Sequence, residues 1–234
     1  MLCYQRLADA ALPWAIVGTV ILTVAGLYLS WSAAPAGDYQ DDAYRIIFVH
    51  APAVWMTLLI CGAMAIASVI FIIWRHPLAE TAAGAAAPIG AVFTANALII
   101  GSAQRQLMWG TYWDWDASRI SLLLLFCLYV TYLALQNAFS DPARGAHVAS
   151  IFCIVGTVSL SIIYYLITWR NEAQSTFLCS CGHPSNTSIH PGILAALLVM
   201  LGAYLCFFVS VHTLQTRAGL AKRKIRNLKA DFLD

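Results

Sequence analysis

The sequence predicts an all-α fold, a polytopic integral membrane bundle of six transmembrane helices, on three observations. Hydrophobic residues make up 61% of the chain and charged residues 10%, whereas a soluble domain is about half apolar and about one quarter charged. The mean hydropathy is +0.74. The charges lie between apolar stretches of the roughly 20 residues that a helix needs to cross about 30 Å of hydrocarbon. The sequence lacks strand-like alternation, which excludes a membrane barrel.

The six spans are placed where charged residues are missing: 12–33, 48–73, 82–103, 119–139, 148–168 and 191–212. Their interiors hold no Asp, Glu, Lys or Arg. A proton-coupled carrier or an ion pump needs such groups within the membrane, so the sequence argues against both. The third span is rich in small residues and holds Pro88, a composition that predicts close packing against neighbouring helices.

The positions of Lys and Arg predict the orientation, because these residues are enriched on the cytoplasmic side. Nine lie in one set of connecting segments and tails and four in the other. This puts both termini in the cytoplasm or the mitochondrial matrix and the segments 34–47, 104–118 and 169–190 on the outer side. Residues 1–216 would form the membrane domain, and residues 217–234 a basic tail that meets anionic lipid or a partner.

The most informative outer segment joins the third and fourth spans. It runs Trp109-Gly110-Thr111-Tyr112-Trp113-Asp114-Trp115-Asp116. Belts of Trp and Tyr are common at membrane surfaces, but a belt needs no interleaved Gly, Thr and Asp. Stacked aromatic rings suit a flat conjugated ligand, and Gly110 would let the backbone approach it closely. Asp116 is expected to cap the fourth span and to pair with Arg119.

Basic residues at the same outer surface indicate the charge of that ligand. Arg45, Arg105 and Arg119 all fall there, and guanidinium groups bind carboxylates through paired hydrogen bonds. A ligand that is flat, apolar and doubly acidic fits this combination, which describes haem with its two propionates.

Haem iron needs axial ligands, commonly neutral imidazole. Three of the six His lie near the outer surface: His50 at the start of the second span, and His183 and His190 in the third outer segment. The other three, His76, His147 and His212, fall on the inner side and are assigned no role. A site with two imidazole ligands is therefore predicted.

Taken together, these residues resemble the tryptophan-rich (WWD) haem-handling membrane proteins, and within them the cytochrome c maturation family CcmC, or haem exporter protein C. The matching segments cover most of the chain: 44–47, 49–53, 87–94, 101–103, 109–117 and 188–191. The resemblance implies that haem b is held on the outer face, with His50 as the first axial ligand and Trp109 to Asp116 as its platform.

Three positions depart from the family pattern. Tyr112 stands where the family has Trp, and Ser118 separates Ala117 from the Arg that the family places next. The family also carries Leu-His-Gln after the Trp that ends the fifth span, whereas Trp169 is followed here by Arg-Asn-Glu-Ala-Gln.

The missing His leaves the second axial ligand open. His183 is interpreted as a displaced ligand, with His190 as the alternative. Cys179 and Cys181 of the same outer segment are thiolate alternatives, and a site with only one ligand also fits the sequence.

The resemblance further implies the partners and the location. Haem would pass to the membrane-anchored haem chaperone CcmE, alongside an ABC transporter made of CcmA and CcmB and a small subunit, CcmD. The chain would lie in the bacterial or mitochondrial inner membrane, in contact with lipid and not with nucleic acid. It would transfer haem rather than act as an enzyme, although it could promote covalent attachment of haem to the chaperone.

Three other functions fit parts of the sequence. A haem lyase of the same tryptophan-rich class would attach haem to apocytochrome c, but such proteins carry more spans or large outer domains. A small-solute permease subunit with an ordinary aromatic belt would need a polar pathway through the spans. If the protein were a purely structural membrane subunit, replacement of Trp113, Trp115 and His50 would leave haem content and cytochrome c levels unchanged.

Overall fold

The computed structural model describes residues 2–33, 41–139, 141–170 and 191–231. Within these ranges all regular secondary structure is helical, and each of six helices is long and apolar enough to cross a membrane. They are α1 Leu2–Ala33, α2 Asp41–Trp74, α3 Pro77–Trp109, α4 Ala117–Asn137, α5 Pro142–Arg170 and α6 Pro191–Asp231. The prediction of a multi-pass, all-helical membrane protein is confirmed.

The helices extend beyond the predicted spans. Residues 41–47 and 104–109 were expected in outer loops but belong to α2 and α3, and α6 continues through the predicted tail to Asp231. The span limits were set by charged residues, which mark the edge of the hydrocarbon. A helix does not have to end there, because its backbone hydrogen bonds are internal and persist in water.

Helices α2 and α3 form the centre of the bundle. They pack along each other, α4 and α5 lie against them on one side, and α6 contacts both on the other. Helix α1 lies outside this group and packs almost entirely along α6. We call the end of the bundle where α2, α4 and α6 begin the upper end, and the other the lower end.

The central core combines apolar side chains with a few polar links between helices. Its largest fully buried side chains include Tyr129 and Tyr132 of α4. The Tyr129 hydroxyl donates to the backbone carbonyl of Thr57 in α2, at 2.7 Å. A Cβ at Gly90 of α3 would lie 2.3 Å from Cε1 of Tyr129. The small residues of α3 thus let this ring pack directly on the helix backbone, as the composition of the third span predicted.

Charged pairs at the lower end join helices that are far apart in the sequence. Arg217 of α6 lies 2.7 Å from the carboxylate of Asp9 in α1. Arg223 of α6 lies 2.8 Å from the carboxylate of Glu80 in α3. His212 precedes these arginines in α6, and its Nε2 lies 3.0 Å from the carbonyl oxygen of Ala82 in α3. These contacts hold the lower part of α6 against its neighbours.

The other two lower-end histidines also have structural contacts. Nδ1 of His76 accepts a hydrogen bond from the backbone N–H of Leu78 at 3.3 Å, which caps the start of α3. The ring of His147 in α5 meets Phe71 edge-on, with 6.4 Å between centroids.

Candidate functional site

The aromatic segment lies at the upper end, between two helix caps. Gly110 ends α3 in the left-handed conformation, with φ of 72°, and its N–H donates to the carbonyl of Gln106 at 3.0 Å. Glycine suits this position because side chains disfavour positive φ. Asp116 begins α4, and its carboxylate accepts from the N–H of Arg119 at 2.9 Å. The predicted cap is confirmed, and residues 110–116 form the exposed link between the caps.

The aromatic rings of this segment are largely open to their surroundings. The exposed fractions are 56% for Trp109, 66% for Tyr112, 37% for Trp113 and 71% for Trp115. Trp113 and Trp115 meet edge-on, with 5.5 Å between centroids and 80° between ring planes. In an edge-on pair the edge of one ring covers one face of the other, and the remaining exposed ring surface suits contact with a flat ligand.

Arg105 of α3 organises the segment. Its guanidinium contacts the carboxylate of Asp114 directly and lies 3.7 Å from that of Asp116. It also lies over the ring of Trp109, 5.0 Å from the centroid. One partly buried cation therefore links the end of α3, the middle of the aromatic segment and the start of α4.

Two further arginines lie at the upper end. Nε of Arg119 lies 3.9 Å from the Asp116 carboxylate, which confirms the expected pair, while its Nη1 is buried and has no hydrogen-bond partner among the described residues. Arg45 of α2 lies over the ring of Trp31 at the end of α1, 4.1 Å from the centroid. Arg119 thus keeps a donor that a ligand carboxylate can accept from.

His50 lies in the third turn of α2, packed against α3. Its Nδ1 is buried and makes no hydrogen bond of normal geometry within the part of the chain described here. The backbone of Ala97 in α3 is a hydrogen-bond partner of the ring, and the guanidinium of Arg119 acts on the ring electrostatically. The ring itself lies against Gly101. An imidazole that is held by the backbone through one nitrogen can bind a further group through the other.

The spacing along α3 relates His50 to the aromatic segment. Gly101, Arg105 and Trp109 occupy successive turns on one face, because residues four apart lie above one another on a helix. At 1.5 Å per residue, Trp109 is about 12 Å above Gly101. The imidazole, the guanidinium groups and the exposed rings therefore share the upper end of the bundle.

Comparison with known proteins assigns this chain to a family. The family model described as Heme exporter protein C matches residues 2–231. The chain belongs to the Heme exporter protein C family. Relatives named Heme exporter protein C include that of Bradyrhizobium diazoefficiens, 41% identical over 97% of this chain and 85% of the relative. That of Paracoccus denitrificans is 33% identical over 97% of this chain and 93% of the relative.

Mitochondria also hold a relative. A Marchantia polymorpha protein, whose name describes a ccmC-like mitochondrial protein of cytochrome c biosynthesis, is 39% identical over 84% of this chain and 82% of its own length. Membership of the Heme exporter protein C family confirms the resemblance found in the sequence.

Not every candidate residue of the sequence falls within the described structure. His183, His190, Cys179 and Cys181 lie in residues 171–190, outside the described ranges. The structure brings the remaining candidates together at the upper end.

Several contacts at this end were not predicted from the sequence, among them Arg105 with Asp114 and His50 with Gly101. The pair of Arg105 and Asp114 depends on the path of a loop, which no periodicity encodes. The contact of His50 with Gly101 had one available signal, a glycine in the middle of an otherwise continuous helical stretch.

Proposed function

We propose that this protein binds haem b at the upper end of its bundle and delivers it to the haem chaperone CcmE during cytochrome c biogenesis. The observation that carries the proposal is the placement of exposed aromatic rings and the His50 imidazole at the same end of one helix pair. Family membership supports it independently, because the relatives are named for haem export.

The upper end faces the periplasm or the intermembrane space in this proposal. Nine Lys and Arg lie at the termini and in the segments at the lower end, against four at the upper end, which by the usual bias puts both termini in the cytoplasm or matrix. The membrane is then the bacterial or the mitochondrial inner membrane.

His50 is the first axial ligand of the haem iron in this proposal, and His183 the second, with His190 as the alternative. The segment from Trp109 to Asp116 provides the platform for the ring. The backbone contact of the His50 ring with Ala97 of α3 supports its role, since an imidazole that ligates iron with one nitrogen usually donates with the other.

The propionates would be bound by the guanidinium groups. Arg119 and Arg105 each have one buried guanidinium nitrogen, Nη1 and Nε respectively, without a hydrogen-bond partner among the described residues. Arg105 already contacts Asp114, so a propionate would have to replace that carboxylate. Arg45 would act from the α2 side, beside Trp31.

Transfer of haem, rather than catalysis, is the proposed activity. CcmE would receive the haem, while CcmA and CcmB would form the associated ABC transporter with CcmD as a small subunit. Promotion of the covalent attachment of haem to CcmE remains compatible with this activity.

Absorption spectra test the proposal. The detergent-purified protein would be supplied with ferric haem b, and oxidised and reduced spectra recorded for wild type, His50→Ala, His183→Ala and His190→Ala. We expect the haem band to be lost with His50 and with one of the other two, which would identify the second ligand. A folded wild-type protein that shows no band with haem supplied would contradict the proposal.

A further inference from the structure

Gly101 lies where the His50 imidazole meets α3. A Cβ placed at this position would lie 2.8 Å from Cε1 of His50, 3.4 Å from Nε2 and 3.5 Å from Nδ1. These three ring atoms are the nearest neighbours that such a Cβ would have. A separation under 3.0 Å is not found for real Cβ atoms, so any larger residue would require a movement here.

Packing in the core opposes a separation of α2 from α3 near this position. Ala53 lies one turn after His50 in α2, and Ala97 lies one turn before Gly101 in α3. Both are fully buried, in the same core cluster. Because both residues belong to the buried core, separating α2 from α3 would open a void there, which is unfavourable. The imidazole ring is the part that would shift.

Glycine is an unfavourable choice for the interior of a helix, since alanine is a better helix former. Gly101 therefore carries a cost that the packing of His50 explains. The ring lies directly on the backbone of α3, which restricts its rotation and fixes the direction of its nitrogens.

We propose that Gly101 is the positioning residue of the His50 imidazole, whose orientation it fixes for haem ligation. This inference rests on the proposed role of His50 as an axial ligand. Residues that orient a metal ligand typically change metal affinity by about tenfold to a hundredfold when they are replaced. We expect a loss of haem affinity in that range for Gly101→Ala, together with an altered spin state of the bound haem.

Gly62 provides a matched control. It is also a helix-interior glycine, in the same helix as His50, and a Cβ there would have no neighbour within 4 Å. Gly62→Ala should keep the wild-type haem spectrum and affinity.

A double-mutant cycle supplies a readout that does not depend on haem. Thermal unfolding would be compared for wild type, Gly101→Ala, His50→Ala and the double variant. If the imidazole occupies the space that a Cβ at position 101 needs, Gly101→Ala should be better tolerated without the ring. The change in unfolding temperature should therefore be more favourable in the His50→Ala background than with His50 present. This comparison is measurable even where haem no longer binds.

Two outcomes would overturn the inference. One is an equal effect of Gly101→Ala on unfolding in both backgrounds. The other is a Gly101→Ala protein with wild-type haem affinity and spectrum, since Gly101 would then accommodate the ring without controlling its ligand role. Retention of the haem band in His50→Ala would instead contradict the proposed function, so the two failures are distinguishable.

Discussion

Both ends of the bundle carry pairs of arginine with a carboxylate, but the pairs connect different parts of the chain. At the lower end, Arg217 and Arg223 pair with carboxylates of α1 and α3, far away in the chain. At the upper end, Arg105 and Arg119 pair with carboxylates within the 105–119 segment. The lower pairs therefore tie distant helices together, whereas the upper pairs shape one local segment. A ligand that changes the upper contacts does not have to separate helices.

Of the changes that distinguish the two ends of the bundle by their ring and charge contacts, replacement of the aromatic platform should have the largest effect. Each well-placed aromatic contact adds about 0.5–1.5 kcal/mol, so replacing both Trp113 and Trp115 by Ala should weaken haem b binding by about fivefold to a hundredfold. Titration of ferric haem b into the purified protein measures this. Trp74→Ala is the matched control, because that ring is 68% exposed at the lower end. Equal losses in both proteins would show that exposed tryptophans act only through general stability.

A smaller effect, on stability alone, is expected from Glu80. Its side chain is 15% exposed and that of Arg223 29%, so Glu80→Gln should lower the free energy of unfolding by about 1–2 kcal/mol, as for a partly buried hydrogen bond to a charged group. Haem affinity should not change. Asp141→Asn is the control, since the carboxylate of Asp141 lies 3.7 Å from exposed Arg144. A loss of haem affinity in Glu80→Gln would remove the distinction between the two ends.

For the Arg105–Asp114 pair, the coupling energy in haem binding should be about 1 kcal/mol or less, because the Asp114 side chain is 57% exposed and its charge is therefore screened. Arg105→Asp and Asp114→Arg should each weaken haem binding, and the double charge exchange should restore part of the affinity. If the double variant shows the sum of both losses, Arg105 does not act through Asp114.

The smallest effect is expected at Asp9, whose side chain is 60% exposed. Asp9→Asn should lower the free energy of unfolding by about 0.5 kcal/mol, and the difference should diminish as salt is raised. Unfolding at low and at high ionic strength measures it. A large, salt-independent loss would mean that this pair contributes more to holding α1 than its exposure indicates.

The helices could be predicted because the membrane imposes a strong constraint on composition. Long uncharged stretches marked all six spans, and Asp116 marked the start of α4 through its capping chemistry. The ends of α2, α3 and α6 were placed too early or too late, since charged residues report the edge of the hydrocarbon and not the end of a helix.

The residue types of the candidate site and its local Asp116–Arg119 pair could be predicted from the sequence, but the contacts between more distant positions could not. His50, the arginines and the aromatic segment were recognisable from their chemistry. The contact of Arg105 with Asp114 depends on the path of a loop, and that of His50 with Gly101 depends on how closely α2 and α3 approach. Neither can be inferred from periodicity in the sequence. The candidates for the second axial ligand, His183 and His190, lie in residues 171–190, outside the described ranges.

The packing of α1 has a consequence for how the protein is made. This helix precedes α2 to α6 in the chain and is synthesised before them, yet it packs almost entirely along α6. Because a contact cannot form before both partners exist, α1 must remain in lipid without its main protein neighbour while α2 to α5 are inserted. The docking of α1 on α6 is therefore a late step, because it joins segments that are far apart in the sequence.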